Sequence, residues 1–338
     1  MKTLFICAAL VLSLFAKEKV LYVYNWSEYM PDSVLQDFTK ETGIEVKYST
    51  YDSNEAMYAK VKTTGTSSYD ILVPSTYFVN KMSREGLLAK IDKTKIPNYK
   101  NLDSKLLSKP FDPNNEYSIP YLWGSTGISY NASLVKGKVD SWADLWNPTY
   151  KNSVLLNDDM REVFGMALKI LGYSANSTNP KEIEKAYVKL KELLPNVKMF
   201  YSESQKQVYL NEEVKLGMNF NGEGFMANEE NPEIKYIYPK EGALVWIDSL
   251  VIPKGAKNID NAHIFINYLL KPEVSKVISE EIGYASPNAK TVELLEDTVR
   301  NNRMIYPIDE DLKNSEFQTD VGKALPVYEK YWEMLKTN

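Results

Sequence analysis

The sequence predicts an α/β protein folded as two lobes, each a mixed, mostly parallel sheet flanked by helices. Two observations carry this. The segment 21–77 reads strand, helix, strand, helix, strand, the order that builds a largely parallel sheet with helices packed on it. The chain has 338 residues, more than one compact core holds, which divides it in two. No internal repeat, low-complexity tract or long charge run interrupts the pattern.

The elements follow in order. Leu21-Tyr-Val-Tyr-Asn-Trp26 reads as a buried strand. Pro31 opens a helix whose Val34, Leu35 and Phe38 share a face, and Gly43 stands where that helix must stop. Residues 44–51 alternate as a strand, 54–65 read as a helix, and 69–74 form a short buried strand delivered into Ser75-Thr-Tyr77. Residues 117–130 make an aromatic strand, relaxed by Gly124 and Gly127, that crosses into the second lobe. Ser141-Trp-Ala-Asp144 is a capping box starting a short helix. A strand at 153–157 and an amphipathic helix at 159–171 come next. Another helix at 180–194 carries the stripe Ile183, Tyr187, Leu190 and Leu194. Further strands fall at 214–219 and 244–252, further helices at 258–270 and 272–282, and 321–335 closes the chain.

Composition narrows the function. A formal net charge of −5 disfavours a nucleic-acid groove or an anionic membrane as the target. Arginine, the bidentate donor for phosphate and carboxylate ligands, is confined to Arg84, Arg161, Arg300 and Arg303. Tyrosine is abundant, at 24 residues. Such a chain suits cations or sugars better than anions.

The N-terminus reads as an export signal over 1–16: Lys2, an apolar run at 4–15, then Ala16 and Lys17-Glu-Lys19. The run is shorter than the roughly 20 residues a spanning helix needs. Cys7 lies inside the run rather than after it, so a lipid anchor at the cell surface is the secondary expectation. Removing the signal leaves no cysteine, hence no disulfide, thiolate metal site or cysteine nucleophile. The single histidine, His263, reads as a packed or surface helix residue. Multi-histidine zinc sites and Ser-His-Asp triads are disfavoured accordingly. No cofactor and no metal are expected.

Several clusters carry ligand chemistry. Trp26-Ser-Glu-Tyr29 sits where a strand hands over to a helix, and ligands of parallel sheets bind beyond the carboxyl ends of strands. Aromatic faces attract an organic cation by about 0.5–2 kcal/mol each, and a carboxylate adds a charge-assisted hydrogen bond. Trp26 and Tyr29 equally suit a plain core. Asp159 and Glu162 follow a strand at a helix start, where they also fit the N-cap and N3 places of a capping box. Trp246 and Asp248 share one side of a strand by alternation. An aspartate inside Leu-Val-Trp-Ile-Asp-Ser-Leu-Val-Ile needs a partner, either a ligand ammonium or an internal lysine. Phe220, Tyr284 and Gln318 are weaker signals taken singly.

Together the segments resemble the spermidine/putrescine-binding proteins of polyamine ABC importers over essentially the whole mature length. The matching stretches are Asn25-Trp-Ser-Glu-Tyr29, Tyr69-Asp-Ile-Leu-Val-Pro-Ser-Thr-Tyr77, Tyr117-Ser-Ile-Pro-Tyr-Leu-Trp-Gly124, Ser141-Trp-Ala-Asp-Leu-Trp146, Asp158-Asp-Met-Arg-Glu162 and Trp246-Ile-Asp-Ser249. The resemblance implies a two-lobed periplasmic-binding-protein fold whose chain crosses between lobes and returns. Lobe 1 is then 17–125 with 249–294, and lobe 2 is 126–248 with 295–338. It implies no enzymatic activity and a periplasmic location. The implied partners are a small-molecule polyamine and the membrane permease and ATPase of an importer, with no nucleic acid, the protein itself being a monomer. The implied cage is Trp26, Tyr29, Tyr77, Trp246 and Tyr284, with Phe220 as an aromatic edge. The implied carboxylates are Glu28, Asp159, Glu162 and Asp248, with Ser27, Ser75 and Gln318 as neutral partners. Phe220 stands where spermidine-binding relatives usually carry tryptophan, and Ser27 where they commonly carry threonine. Two other classes compete: an exported carboxylate-pair glycoside hydrolase using acids such as Glu28 and Asp248, and the same fold holding another cationic solute.

Overall fold

The computed structural model describes residues 19–337; the export signal expected from the sequence and Cys7 lie outside them. Ten strands are present among the described residues: β1 (Val20–Trp26), β2 (Glu45–Tyr51), β3 (Ile71–Leu72), β4 (Ser118–Asn131), β5 (Val154–Leu156), β6 (Val197–Phe200), β7 (Leu216–Phe220), β8 (Ile234–Ile237), β9 (Leu244–Val251) and β10 (Glu316–Phe317). They join in the order β2-β1-β3-β9-β4-β7-β5-β6, with β10 on β9 and β8 on β4.

The parallel blocks β2-β1-β3 and β7-β5-β6 are the sheets of the two lobes. Antiparallel β4 and β9 run through both, pairing with each other from Ser118↔Val251 to Thr126↔Leu244. One core packs Leu21, Val34, Phe38, Ile71, Ile119, Leu250 and Phe265; a second packs Trp142, Val154, Phe164, Ile183, Leu190, Met218 and Tyr328. The fold is a mixed α/β arrangement in two lobes, spliced by long strands.

Local rules account for most boundaries. The helix Asp32–Thr42 ends at Gly43, whose φ of 71° is left-handed and costs glycine little. Ser141 and Asp144 form the expected capping box. His263 is buried, its Nε2 accepting the Asp92 N–H at 3.0 Å.

Other boundaries move. The strand expected at 69–74 shrinks to β3, because buried Asp70 turns its carboxylate to the backbone N–H groups of Tyr22, Lys257 and Asn258 at 2.8–3.0 Å. The last helix starts at Leu325 rather than 321, with Pro326 in its first turn and a 3₁₀ turn ahead of it. The strands β6, β8 and β10 and the helices Thr76–Arg84, Gln205–Leu210, Asn221–Glu230 and Ala289–Leu294 had no clear signal in the pattern. No helix of the described residues is long and apolar enough to cross a membrane.

Candidate functional site

The thirteen residues singled out from sequence all line one cavity of about 700 Å³ where β9 and the residues after β10 pass between the lobes. That volume falls in the ordinary range for small-molecule sites. Lobe 1 brings Trp26 to Tyr29 from the end of β1, and Ser75 and Tyr77 from the turn after β3. The other lobe brings Asp159 and Glu162 from the start of the helix Met160–Ile170, and Phe220 from the end of β7. Trp246 and Asp248 project from the middle of β9; Tyr284 follows the helix Pro272–Ile282, and Gln318 follows β10.

The aromatic walls brace each other edge to face. Trp246 and Tyr284 have centroids 5.2 Å apart, Tyr29 and Tyr284 5.8 Å, and Phe220 and Trp246 6.1 Å, while the Trp26 and Tyr51 rings, 4.8 Å apart, are tilted at 52°. The Trp26 indole N–H is spent on the Val73 carbonyl at 2.9 Å, so its ring rather than its donor serves the cavity. Tyr121 fixes the far side of Tyr29 by donating to its carbonyl at 2.6 Å. Such rings are preorganised, with little rotamer entropy left to lose on binding.

Asp248 is the central acid. It is 5 % exposed, and its oxygens accept from the hydroxyls of Ser75 at 2.5 Å and Tyr29 at 2.8 Å. No lysine among the described residues pairs with it, so the internal-lysine alternative fails there. Burial pushes its pKa up to about 6, restrained by the hydrogen bonds from Ser75 and Tyr29. The Tyr29 hydroxyl is itself pushed well above its usual range, by burial and then by the Asp248 charge, so it remains a donor.

Asp159 caps its helix through the N–H groups of Arg161 and Glu162, but Glu162 does not complete the box. Its side chain turns into the cleft, where Oε1 accepts from Gln318 at 3.1 Å and Oε2 has no partner. Burial, then the neighbouring Asp159 charge, raises the Glu162 pKa to about 8. Arg161 lies buried behind this pair, 5.6 Å from the Tyr77 ring and donating to the Thr319 carbonyl at 3.0 Å. Its charge partly offsets the two acids. Glu28 stands exposed at the cleft edge with φ 51°, and the Ser27 hydroxyl donates to Asp52 at 2.6 Å rather than inward.

Sequence reasoning missed several lining groups. Asn54 clasps Ser75, accepting its N–H at 3.1 Å and donating to its hydroxyl at 3.2 Å, and so positions the residue that holds Asp248. Tyr51, Asp52, Asp158, Glu203, Glu223 and Glu281 also reach the cavity. Nine carboxylates line it, against a single ammonium, that of Lys206, which is drawn to Glu230 at 2.8 Å. Nothing in local pattern flags these positions, because Asp52, Asp158, Glu203 and Glu281 are exposed residues that only the packing of whole elements brings to the cavity. No group of three or more His, Cys, Asp or Glu among the described residues is arranged to hold a metal ion.

A concave aromatic cage whose lining acids outnumber the nearby cations suits an organic cation. Residues 33–304 match the bacterial extracellular solute-binding protein family. The chain belongs to that family. It is 54 % identical over 317 residues to the spermidine/putrescine-binding periplasmic protein of Escherichia coli (strain K12), covering 94 % of this chain and 91 % of that one. It is 36 % identical to the putrescine-binding periplasmic protein SpuD of Pseudomonas aeruginosa, over 95 % and 93 % of the two chains. Its fold matches the spermidine/putrescine ABC transporter substrate-binding protein PotD of Streptococcus pneumoniae with a TM-score of 0.82 at 41 % identity, over 94 % and 98 % of the chains. The two-lobed solute-binding fold is therefore the fold of this protein.

Proposed function

We propose that this protein is an extracytoplasmic polyamine receptor that binds spermidine and putrescine and delivers them to the permease and ATPase of an ABC importer. The observation that carries the reading is Asp248, a buried acid beside aromatic rings whose side-chain partners among the described residues are two hydroxyls. A polyamine ammonium supplies the missing charge, and its methylene stem fits between Trp26, Tyr29, Trp246 and Tyr284. The ligand-contacting set is Trp26, Ser27, Glu28, Tyr29, Ser75, Tyr77, Asp159, Glu162, Phe220, Trp246, Asp248, Tyr284 and Gln318. The names of the relatives support the same ligand class, and they are solute-binding transport proteins rather than enzymes.

The protein acts as a monomer in the periplasm after its signal is removed near Ala16. Its lobes, 17–125 with 249–294 and 126–248 with 295–338, close on the ligand by hinge motion, and the importer reads the closed form. Calorimetric titration of refolded, ligand-stripped mature protein with spermidine and putrescine tests the reading. A one-to-one isotherm at micromolar affinity or better, roughly 8 kcal/mol, is expected. Heats no larger than dilution for both ligands reject it.

A further inference from the structure

Arg161 is 1 % exposed, and every hydrogen bond its side chain makes goes to a neutral oxygen. Nη1 donates to the Thr319 carbonyl at 3.0 Å, and Nη2 to the Ala175 carbonyl at 3.3 Å and to Asn176 Oδ1 at 3.1 Å. Nε has no partner among the described residues. Two rings enclose the guanidinium: Tyr328 of the helix Leu325–Lys336 at 5.3 Å, and Tyr77 of the helix Thr76–Arg84 at 5.6 Å. Tyr328 belongs to the core of lobe 2, whereas Tyr77 comes from lobe 1 and lines the cavity.

The ordinary explanation is a tie that holds the segment after β10 to its lobe. Asn176 already does that, donating to the Phe317 carbonyl and accepting the Thr319 N–H, each at 2.9 Å. A neutral side chain could reach the Thr319 carbonyl without the cost of burying a charge. It would lack a positive charge beside Asp159 and Glu162. Burial raises the pKa of both acids, and the Arg161 charge counters that rise in each. The other charges around the cluster are Asp158, paired with Lys336 at 2.6 Å, Glu55, which accepts from the Tyr77 hydroxyl at 3.4 Å, Asp248 on β9, and Glu182 toward Tyr328.

We infer that Arg161 is a positioning residue of the receptor: Tyr77 completes its enclosure when the lobes close, and the enclosed guanidinium holds Asp159 and Glu162 as anions for the ligand. The inference rests on the polyamine reading above. It makes closure and charge recognition one step, because the rings that shield the cation from water strengthen its field on the two acids. Arginine suits the place better than lysine. A flat guanidinium lies between two rings, while an ammonium is a strongly hydrated point charge.

The test is calorimetric titration of the wild type, Arg161→Met and Arg161→Lys with spermidine and putrescine from about pH 6 to 9. Buffers of different ionisation enthalpy count the protons released, and thermal unfolding of each ligand-free protein checks the fold. Arg161→Met should lower both affinities about tenfold at neutral pH and displace the rise of affinity with pH upward by about one unit. Near pH 8, about where Glu162 is half-protonated in the wild type, it should release about 0.4 more protons per ligand bound. Arg161→Lys keeps the charge, so it should lose affinity about threefold with a pH profile within about 0.3 units of the wild type. Weakened binding by Arg161→Met with the wild-type pH profile would reduce Arg161 to a tie between segments and overturn the assignment, as would unchanged binding. Where Arg161→Met does not fold, Arg161→Lys decides: a displaced profile overturns the assignment, and an unmoved profile with weakened binding supports it. Failure in the variants leaves wild-type binding, and so the receptor reading, intact; a wild type that binds neither ligand removes both.

Discussion

Tyr29 and Asp248, 219 residues apart in the chain, meet through a 2.8 Å hydrogen bond at the floor of the cleft. Tyr29 arrives from the end of a lobe 1 strand and Asp248 from a strand common to both lobes. The bond therefore ties the aromatic cage to the acid beneath it. Because Ser75 holds the other oxygen, the carboxylate is aimed rather than merely buried. Such preorganisation lets the site pay for desolvation before the ligand arrives.

Removing that charge should cost binding without costing the fold. Asn at 248 keeps the shape, and the Ser75 and Tyr29 hydroxyls can each donate or accept. Asp248→Asn is expected to weaken polyamine binding by about 3 kcal/mol, on the order of a hundredfold. Calorimetry reads it; wild-type affinity in the variant would sink the assignment.

The raised acids make the ligand-free protein sensitive to pH. Asp248 holds its proton up to about 6 in the folded chain, while an unfolded aspartate releases it near 3.9. Ligand-free stability should therefore fall as pH rises from about 4 through 6, by about 3 kcal/mol from this group. Glu162, with its pKa at about 8, extends the fall to higher pH. Thermal unfolding between pH 4.5 and 8.5 (about the range set by these values) checks it, and Asp248→Asn should flatten the lower part of the curve.

The same linkage runs the other way in binding. An ammonium favours the ionised acids, so ligand uptake expels protons and putrescine affinity should rise between about pH 5.5 and 8, where alkylammonium groups stay charged. Titrations in buffers of different ionisation enthalpy should show net proton release at neutral pH. Proton uptake, or none, would contradict the raised acids.

Two glycines hold the walls in place. An added Cβ at Gly124 would lie 2.7 Å from the Trp246 ring and against the Asn221 side chain, and one at Gly222 would lie 2.5 Å from the Tyr284 ring. Gly222→Ala should displace Tyr284 and weaken both ligands at least about tenfold, with about 1–3 kcal/mol of lost stability from overpacking. Paired titration and denaturant unfolding separate the two effects.

Charge identifies the ligand class. Polyamine affinity should decline steadily with salt from 20 to 500 mM, roughly the range over which screening becomes strong. A salt-independent response, or binding of a neutral sugar in its place, would point back to the glycoside-hydrolase alternative.

What the sequence determined by itself was local. Strand–helix alternation, Gly43 as a stop, the Ser141–Asp144 cap and the shared face of Trp246 and Asp248 all depend on neighbours within a few residues, so periodicity and capping rules reach them. The colinear segments extended that reading to the thirteen candidate residues, which the fold gathers in one cavity. Only the tertiary structure decided how the acids are answered. Asp248 could have met a lysine, and instead met two hydroxyls from distant turns. Glu162 could have closed its cap, and instead faces Gln318. Asn54, Tyr51 and Glu223 joined the site because strands common to both lobes bring those lobes face to face. Partners separated by a hundred residues or more leave no periodic trace, since their meeting is fixed by the packing of whole elements rather than by the spacing of side chains along one.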